Sequence, residues 1–145
     1  MATAKTQCLA TAIRDECLGR RVRQLGRAVT GIYNEALRPV GLTISQVSIL
    51  TAVACREPVS PGEIARGLQL EKSTLSRNLT RLAQEGLVAF DNGRPQKLRL
   101  TRAGETRLAD AFPLWETAQS QVEAALGRER VFAISRKGRQ LMPAD

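Results

Sequence analysis

The sequence predicts a mainly α-helical fold carrying one small β-hairpin. Three observations lead there. Apolar residues recur at steps of three and four through most of the 145 positions, the signature of helices with one buried face. Lys97-Leu98-Arg99-Leu100 instead alternates with period two beside the short apolar run Leu87-Val88-Ala89-Phe90, which marks paired strands. Aromatic residues are 3 % of the chain. Its core is therefore built from Leu, Val, Ile and Ala, which suits helix packed on helix.

Taken in order, Ile13 to Val40 reads as one helix. Val22, Leu25, Val29, Ile32 and Ala36 form a single stripe, Leu18 extends it backwards, and Pro39 and Gly41 close it. About 28 residues would span roughly 42 Å at 1.5 Å per residue. That is longer than a small core needs, so the stripe suggests a partner subunit. The next helix opens at Leu42-Thr43-Ile44-Ser45, with Thr43 or Ser45 as cap, and runs to Cys55 with Val47, Ile49, Leu50 and Val53 inside. Ser60-Pro61-Gly62-Glu63 starts a short third helix. Ser60 caps, Pro61 takes the first helical position and Glu63 reaches back. Ile64, Ala65 and Leu68 are its inner side, and Gln69-Leu70-Glu71 a tight turn.

Lys72 to Glu85 forms the fourth helix, with Leu75, Leu79 and Leu82 inward and Gly86 ending it. The two strands then flank an Asn92-Gly93 turn. Thr101 caps a further helix with Leu108, Phe112, Trp115, Val122 and Leu126 as apolar positions and a kink or break at Pro113. After Gly127, residues Val131, Phe132, Ile134 and Leu141 are loosely periodic, consistent with a short final helix and a frayed end.

Charge narrows the partner. The chain has 22 Lys+Arg against 14 Asp+Glu, a net +8. Such an excess favours a polyanion, nucleic acid first, because each phosphate contact releases condensed counterions. Residues 1–42 hold seven basic and three acidic groups, 43–101 eight and five, and 102–145 seven and six, so the excess lies in the first two thirds. There is no His and there are three Cys. That removes the commonest general base, makes a tetrahedral metal site improbable and offers no disulfide framework. No Gly-rich phosphate loop or paired-carboxylate motif occurs, so an enzyme is not expected, nor a cofactor. No apolar run approaches the ~20 residues of a membrane span. The N-terminus lacks a signal-peptide pattern, and the expected compartment is the cytoplasm.

Helix, short helix, tight turn, polar-faced helix, hairpin is the order of a winged helix-turn-helix. In that arrangement the helix Lys72–Glu85 presents small polar and basic groups to a major groove about 12 Å wide. Ser73, Thr74 and Ser76 lie at its N-terminal end, where helix amides favour phosphate. Arg77 can address guanine and Asn78 adenine, each with two hydrogen bonds. Lys72 and Arg81 suit backbone phosphates, and Arg94 in the hairpin can reach the neighbouring minor groove. Any one of these residues also suits an ordinary solvated face. The set is less ordinary, because such faces are usually rich in Glu and Lys, and Ser73 to Arg81 contains no acid.

The segments GLTISQVSILTAVA, PVSPGEIARGLQLEKSTLSRNLTRLAQEGLV and KLRLTRAGETRL resemble the MarR family of transcription regulators. The matching features are Leu42, Thr43 and Gln46, the helix Glu63–Leu68, STLSRNLTRL followed by EGLV, and Leu98–Gly104. The resemblance covers about residues 20–125. It implies a homodimer on a pseudo-palindromic DNA operator, with an N-terminal dimerisation helix (1–42), a winged DNA-binding lobe (43–101) and C-terminal dimerisation helices (102–145). Carried across by residue, it implies base reading by Ser73, Thr74, Ser76, Arg77 and Asn78, with Arg81 on the backbone and Arg94 in the wing. It further implies repression relieved by a small, often aromatic, ligand held between the dimer helices and the lobe, near Phe112 or Trp115. Two departures stand out. The hairpin is cut to Asp91-Asn92-Gly93-Arg94-Pro95-Gln96 with one arginine, and the end of the chain is short for a dimerisation helix.

Two other readings stay open. Some relatives sense peroxide through a cysteine near the start of the first helix, and Cys17, with Cys8 behind it, lies near that region. Cys17 is equally a small apolar residue on the dimer stripe, and Cys55 is expected in the core. On one helix Cys8 and Cys17 would stand about 13.5 Å apart along the axis, so a bond between them within one subunit requires unwinding, and a bond across a dimer stays open. The shortened wing suits a protein-interaction module on the same scaffold that has lost operator binding.

Overall fold

The computed structural model describes residues 1–140. It contains seven α-helices and a two-stranded antiparallel sheet: α1 (Ala4–Glu16), α2 (Leu18–Leu37), α3 (Ile44–Arg56), α4 (Pro61–Leu68), α5 (Lys72–Gln84), β1 (Val88–Phe90), β2 (Leu98–Leu100), α6 (Arg102–Leu126) and α7 (Arg128–Gln140). No single helix among the described residues is long and apolar enough to cross a membrane.

The front of the chain differs from the single helix expected over Ile13–Val40. Helix starts at Ala4, behind the Thr3 cap, and breaks at Cys17, whose backbone is extended (φ −67°, ψ 105°). The carbonyls left over at the end of α1 are taken up by side chains from α2. Arg20 Nη1 donates to the Arg14 carbonyl at 2.7 Å and Arg21 Nη2 donates to that of Asp15. Only the later part of the stripe meets the rest of the chain. Val29 and Ile32 are half-buried and Leu37 fully buried, while Leu18, Val22 and Leu25 are exposed. The buried part of α2 lies on α6, where the Tyr33 hydroxyl donates to Gln119 Oε1.

A 3-10 turn, Arg38–Val40, and Gly41 at φ 69° end the entry helix. Asn34 Oδ1 then accepts from the Ile44 amide at 2.8 Å, fixing the angle between α2 and α3. Thr43 is the cap of α3 and forms a reciprocal box with Gln46. Gln46 is buried, and its Oε1 accepts from the Thr43 amide at 2.9 Å. Ser60 and Glu63 make the same box on α4. Gln69, left-handed at φ 54°, closes α4 and turns the chain into α5.

Leu75, Leu79 and Leu82 of α5 pack into one core with Ile49, Leu50, Val53, Ile64, Leu87 and Leu98. Burying a leucine of this kind is worth roughly 1.5–3 kcal/mol, so the three hold α5 rigidly by its inner side. In the sheet Val88 faces Leu100, Ala89 faces Arg99 and Phe90 faces Leu98. Val59 adds a bridge on the other side of Leu98, at 3.2 and 2.7 Å.

The hairpin does not turn at Asn92-Gly93 alone. Its connection spans 91–97, and Asp91 Oδ1 closes it by accepting from the amides of Gly93 (3.2 Å) and Lys97 (2.8 Å). Helix α6 runs through Pro113 without breaking. Its buried residues are Gly104, Ala111, Ala118 and Val122, whereas Phe112, expected inside, is exposed. Small residues face inward because α2 and α3 approach α6 closely along that side. Helix α7 is regular to Gln140 with no buried residue, and Leu141 lies outside the described residues.

Candidate nucleic-acid interface

With Leu75, Leu79 and Leu82 turned inward, α5 exposes Lys72, Ser73, Ser76, Arg77, Thr80 and Arg81. Between Lys72 and Gln84 there is no acidic residue. The N-cap, Glu71, makes no side-chain cap hydrogen bond to the first turn of α5.

The residues expected to read bases are not equivalent. Ser73, Ser76 and Arg77 lie on the exposed face; Thr74 and Asn78 lie on its flank and are half-buried. Asn78 Nδ2 donates to the Thr74 carbonyl at 2.9 Å, so one of its amide hydrogens is used within the helix. Arg77 keeps only a long contact, 3.5 Å, to Thr74 Oγ1. Thr80 adds a further small hydroxyl to this face. It lies four residues after Ser76 on the same exposed strip, and its hydroxyl donates to the Ser76 carbonyl at 2.9 Å.

Flanking cations differ as well. Arg81 Nε sits 3.1 Å from Glu85 Oε1. Arg94 lies exposed in the hairpin connection, on a separate element from α5. The negative charge of Asp91 steadies that connection, and the Lys97 and Gly93 amides hold its carboxyl below the usual carboxylate range.

A cavity of about 630 Å³ opens between α3, α4 and α6. Ile44, Val47, Ala52, Ile64 and Leu108 supply apolar wall, and Phe112 and Trp115 stack at 5.8 Å between ring centroids. Cys55 also lines it and is exposed, not buried in the core as expected: it falls in the last turn of α3, where Ala54 and Arg56 beside it are exposed too. Cys8 is exposed on α1 and Cys17 half-buried at the break between α1 and α2. Two of the arginines near Cys17, Arg20 and Arg21, are spent on backbone carbonyls. No group of three or more His, Cys, Asp and Glu among the described residues could hold a metal ion.

Comparison with known proteins gives a consistent set of likenesses. A family model described as MarR family matches residues 40–95. The crystal structure of the M. tuberculosis transcriptional regulator MosR is 35 % identical, with a TM-score of 0.79 over 87 % of this chain and 96 % of that one. The structure of MosR in complex with DNA is 32 % identical, with a TM-score of 0.74 over 88 % and 100 %. The transcriptional repressor CouR, bound to p-coumaroyl-CoA, is 25 % identical, with a TM-score of 0.79 over 89 % and 94 %. A curated HTH-type transcriptional regulator of Bacillus cereus is 32 % identical over 83 residues, 57 % of this chain and 56 % of the relative. The chain thus spans about half the length of the curated relatives it matches.

Proposed function

The chain belongs to the MarR family, and from that premise we propose that it is a sequence-specific DNA-binding transcription regulator acting as a homodimer. One observation carries the reading: the exposed, acid-free face of α5, held from behind by three buried leucines. Rigidity matters because a groove-reading helix must present its side chains without reorganising. Ser73, Ser76, Arg77 and Thr80 form the part aimed at base edges. Thr74 and Asn78 border it, Lys72 and Arg81 meet phosphates, and Arg94 meets the minor groove or its backbone.

The dimer has its natural seam in the apolar residues the single chain leaves exposed: Leu18, Val22 and Leu25 on α2, and Phe132 and Ile134 on α7. All five are exposed in the single chain, on the helices that flank the lobe in the sequence. Two recognition helices then address half-sites about one helical turn apart.

The reading includes repression released by a small aromatic ligand in the α3–α4–α6 cavity. Its volume falls in the range of small-molecule sites, roughly 300–1,000 Å³, and its stacked rings suit a planar guest. CouR, similar in fold, holds p-coumaroyl-CoA. A ligand there would wedge α6 away from α3 and α4 and alter the spacing of the two recognition helices.

Selection of bound duplexes from a random pool tests the proposal. A two-fold symmetric consensus with half-sites about 10 base pairs apart is expected. Recovery of no consensus at any salt concentration would refute it and favour a protein-interaction module.

A further inference from the structure

Glu85 occupies an electrostatically poor place. It is the C-cap of α5, at the negative end of the helix dipole, where a carboxylate is disfavoured. It also follows Arg81 by four residues, the weaker order for a helical ion pair. Helix stability alone does not explain an acid there. The surroundings do: Glu85 Oε1 is 3.1 Å from Arg81 Nε, and Oε2 is 3.7 Å from Arg107 Nη1. Arg107, from α6, is itself anchored, donating from Nη1 to the Val40 carbonyl at 2.9 Å beside the Gly41 turn. One carboxylate thus bridges an exposed cation on α5 and a tethered cation from α6. The two differ in exposure, since the Arg81 side chain is 63 % accessible and the Arg107 side chain 35 %.

We infer that Glu85 is a positioning residue for DNA engagement: it holds Arg81 as a stand-in for phosphate until a backbone phosphate displaces it, and Arg107 then keeps the released carboxylate. The inference rests on α5 being the DNA-reading helix. Arg81 exchanges one anion for another, so its charge is never left uncompensated. Each engagement carries a built-in competitor, which lowers affinity for any duplex whose phosphates do not meet Arg81 squarely.

The test compares the full chain with Glu85→Gln, Arg81→Ala and the double variant, on the selected operator and on a random duplex of equal length, across a salt series. Glu85→Gln should bind both duplexes several-fold more tightly. Its slope of log affinity against log salt should stay close to the parent's, because Arg81 meets the same phosphate in both complexes. Adding Arg81→Ala should abolish that gain, a non-additivity that a general change in net charge would not produce. Arg107→Gln should act in the opposite direction, leaving Glu85 to Arg81 alone and weakening both complexes, with Glu85→Gln restoring them. Unchanged affinity in Glu85→Gln, or strict additivity with Arg81→Ala, overturns the inference while leaving the regulator reading intact. Absence of salt-dependent binding by the parent chain overturns both. Should Glu85→Gln fold poorly, the Arg107→Gln comparison decides: tighter or unchanged binding in that variant overturns the inference.

Discussion

Gly104 touches Leu87 backbone to backbone: a Cβ on Gly104 would stand 2.0 Å from the Leu87 carbonyl oxygen and 3.0 Å from its carbonyl carbon. Around that contact the wing base is locked to the start of α6. Thr101 Oγ1 donates to the Gly86 carbonyl at 2.6 Å and accepts from the Gly104 amide at 3.0 Å. The obstacle is backbone, so no flexible side chain can swing away from an added methyl.

Gly104→Ala should therefore destabilise the lobe, although alanine suits a helix better by about 0.5–1 kcal/mol. Overpacking of this kind costs about 1–3 kcal/mol. For a chain of this size that corresponds to a fall in melting temperature of roughly 2–10 °C. Thermal unfolding at one fixed protein concentration, so that dimer mass action is constant, checks it. A variant as stable as the parent would mean α6 and β1 can separate freely.

What could be read in the sequence, and what could not, divides by range. The caps Ser60 and Thr101 were legible, and Thr43 as one of two candidates with Ser45, because a cap is settled within four residues. The inward leucines of α5 were legible because their spacing repeats. The break at Cys17 was not, since the apolar pattern continues across it from Ile13 to Leu18 and Val22. Which side of α6 is buried depends on where α2 and α3 lie, so Ala111 and Ala118 displaced Phe112 from the inside. At the candidate site, residue type marked the α5 face. The inward-turned amide of Asn78 and the hold of Glu85 on Arg81 are side-chain geometry that spacing does not encode.

Acid should loosen the wing. Hydrogen bonds from the Lys97 and Gly93 amides hold the Asp91 carboxyl below its ordinary value. A depressed folded-state pKa means that closure of the connection is complete above the ordinary carboxylate value and is lost as pH falls through the lowered one. The amide resonances of Gly93 and Lys97 should move together in that acidic window. In Asp91→Asn, which accepts hydrogen bonds without titrating, they should not. Movement that persists in Asp91→Asn would assign the change to another group.

Trp115 is the single tryptophan of the chain, and it lines the α3–α4–α6 cavity in contact with Phe112. Its emission should respond directly to an apolar aromatic guest, with saturable quenching. Ala52→Phe, which adds a ring to the wall, should weaken that response about tenfold or more while leaving DNA affinity within about twofold, since overpacking by a ring costs more than the 1.4 kcal/mol that separates decades of binding. Equal quenching in the parent and Ala52→Phe would place the guest elsewhere.

The flank and the face of α5 should separate in a specificity measurement. Arg77 is exposed and weakly held, whereas Asn78 is half-buried with Nδ2 committed to the Thr74 carbonyl. A bidentate contact to adenine must then be made with Oδ1 and the one remaining Nδ2 hydrogen in the orientation the internal bond allows, so its binding energy is reduced wherever the amide has to turn. Arg77→Ala should cost roughly 1–3 kcal/mol on the operator and relax preference at one base pair, and Asn78→Ala should cost less and broaden specificity less. Arg94→Ala, removing the cation proposed to meet the backbone or minor groove, should instead weaken operator and random duplex alike and lower the salt slope by about 1. The competition is between a preformed and a recruited contact. If Asn78→Ala proves the more damaging of the two on operator, the amide must rotate out on binding, and the order of importance along α5 reverses.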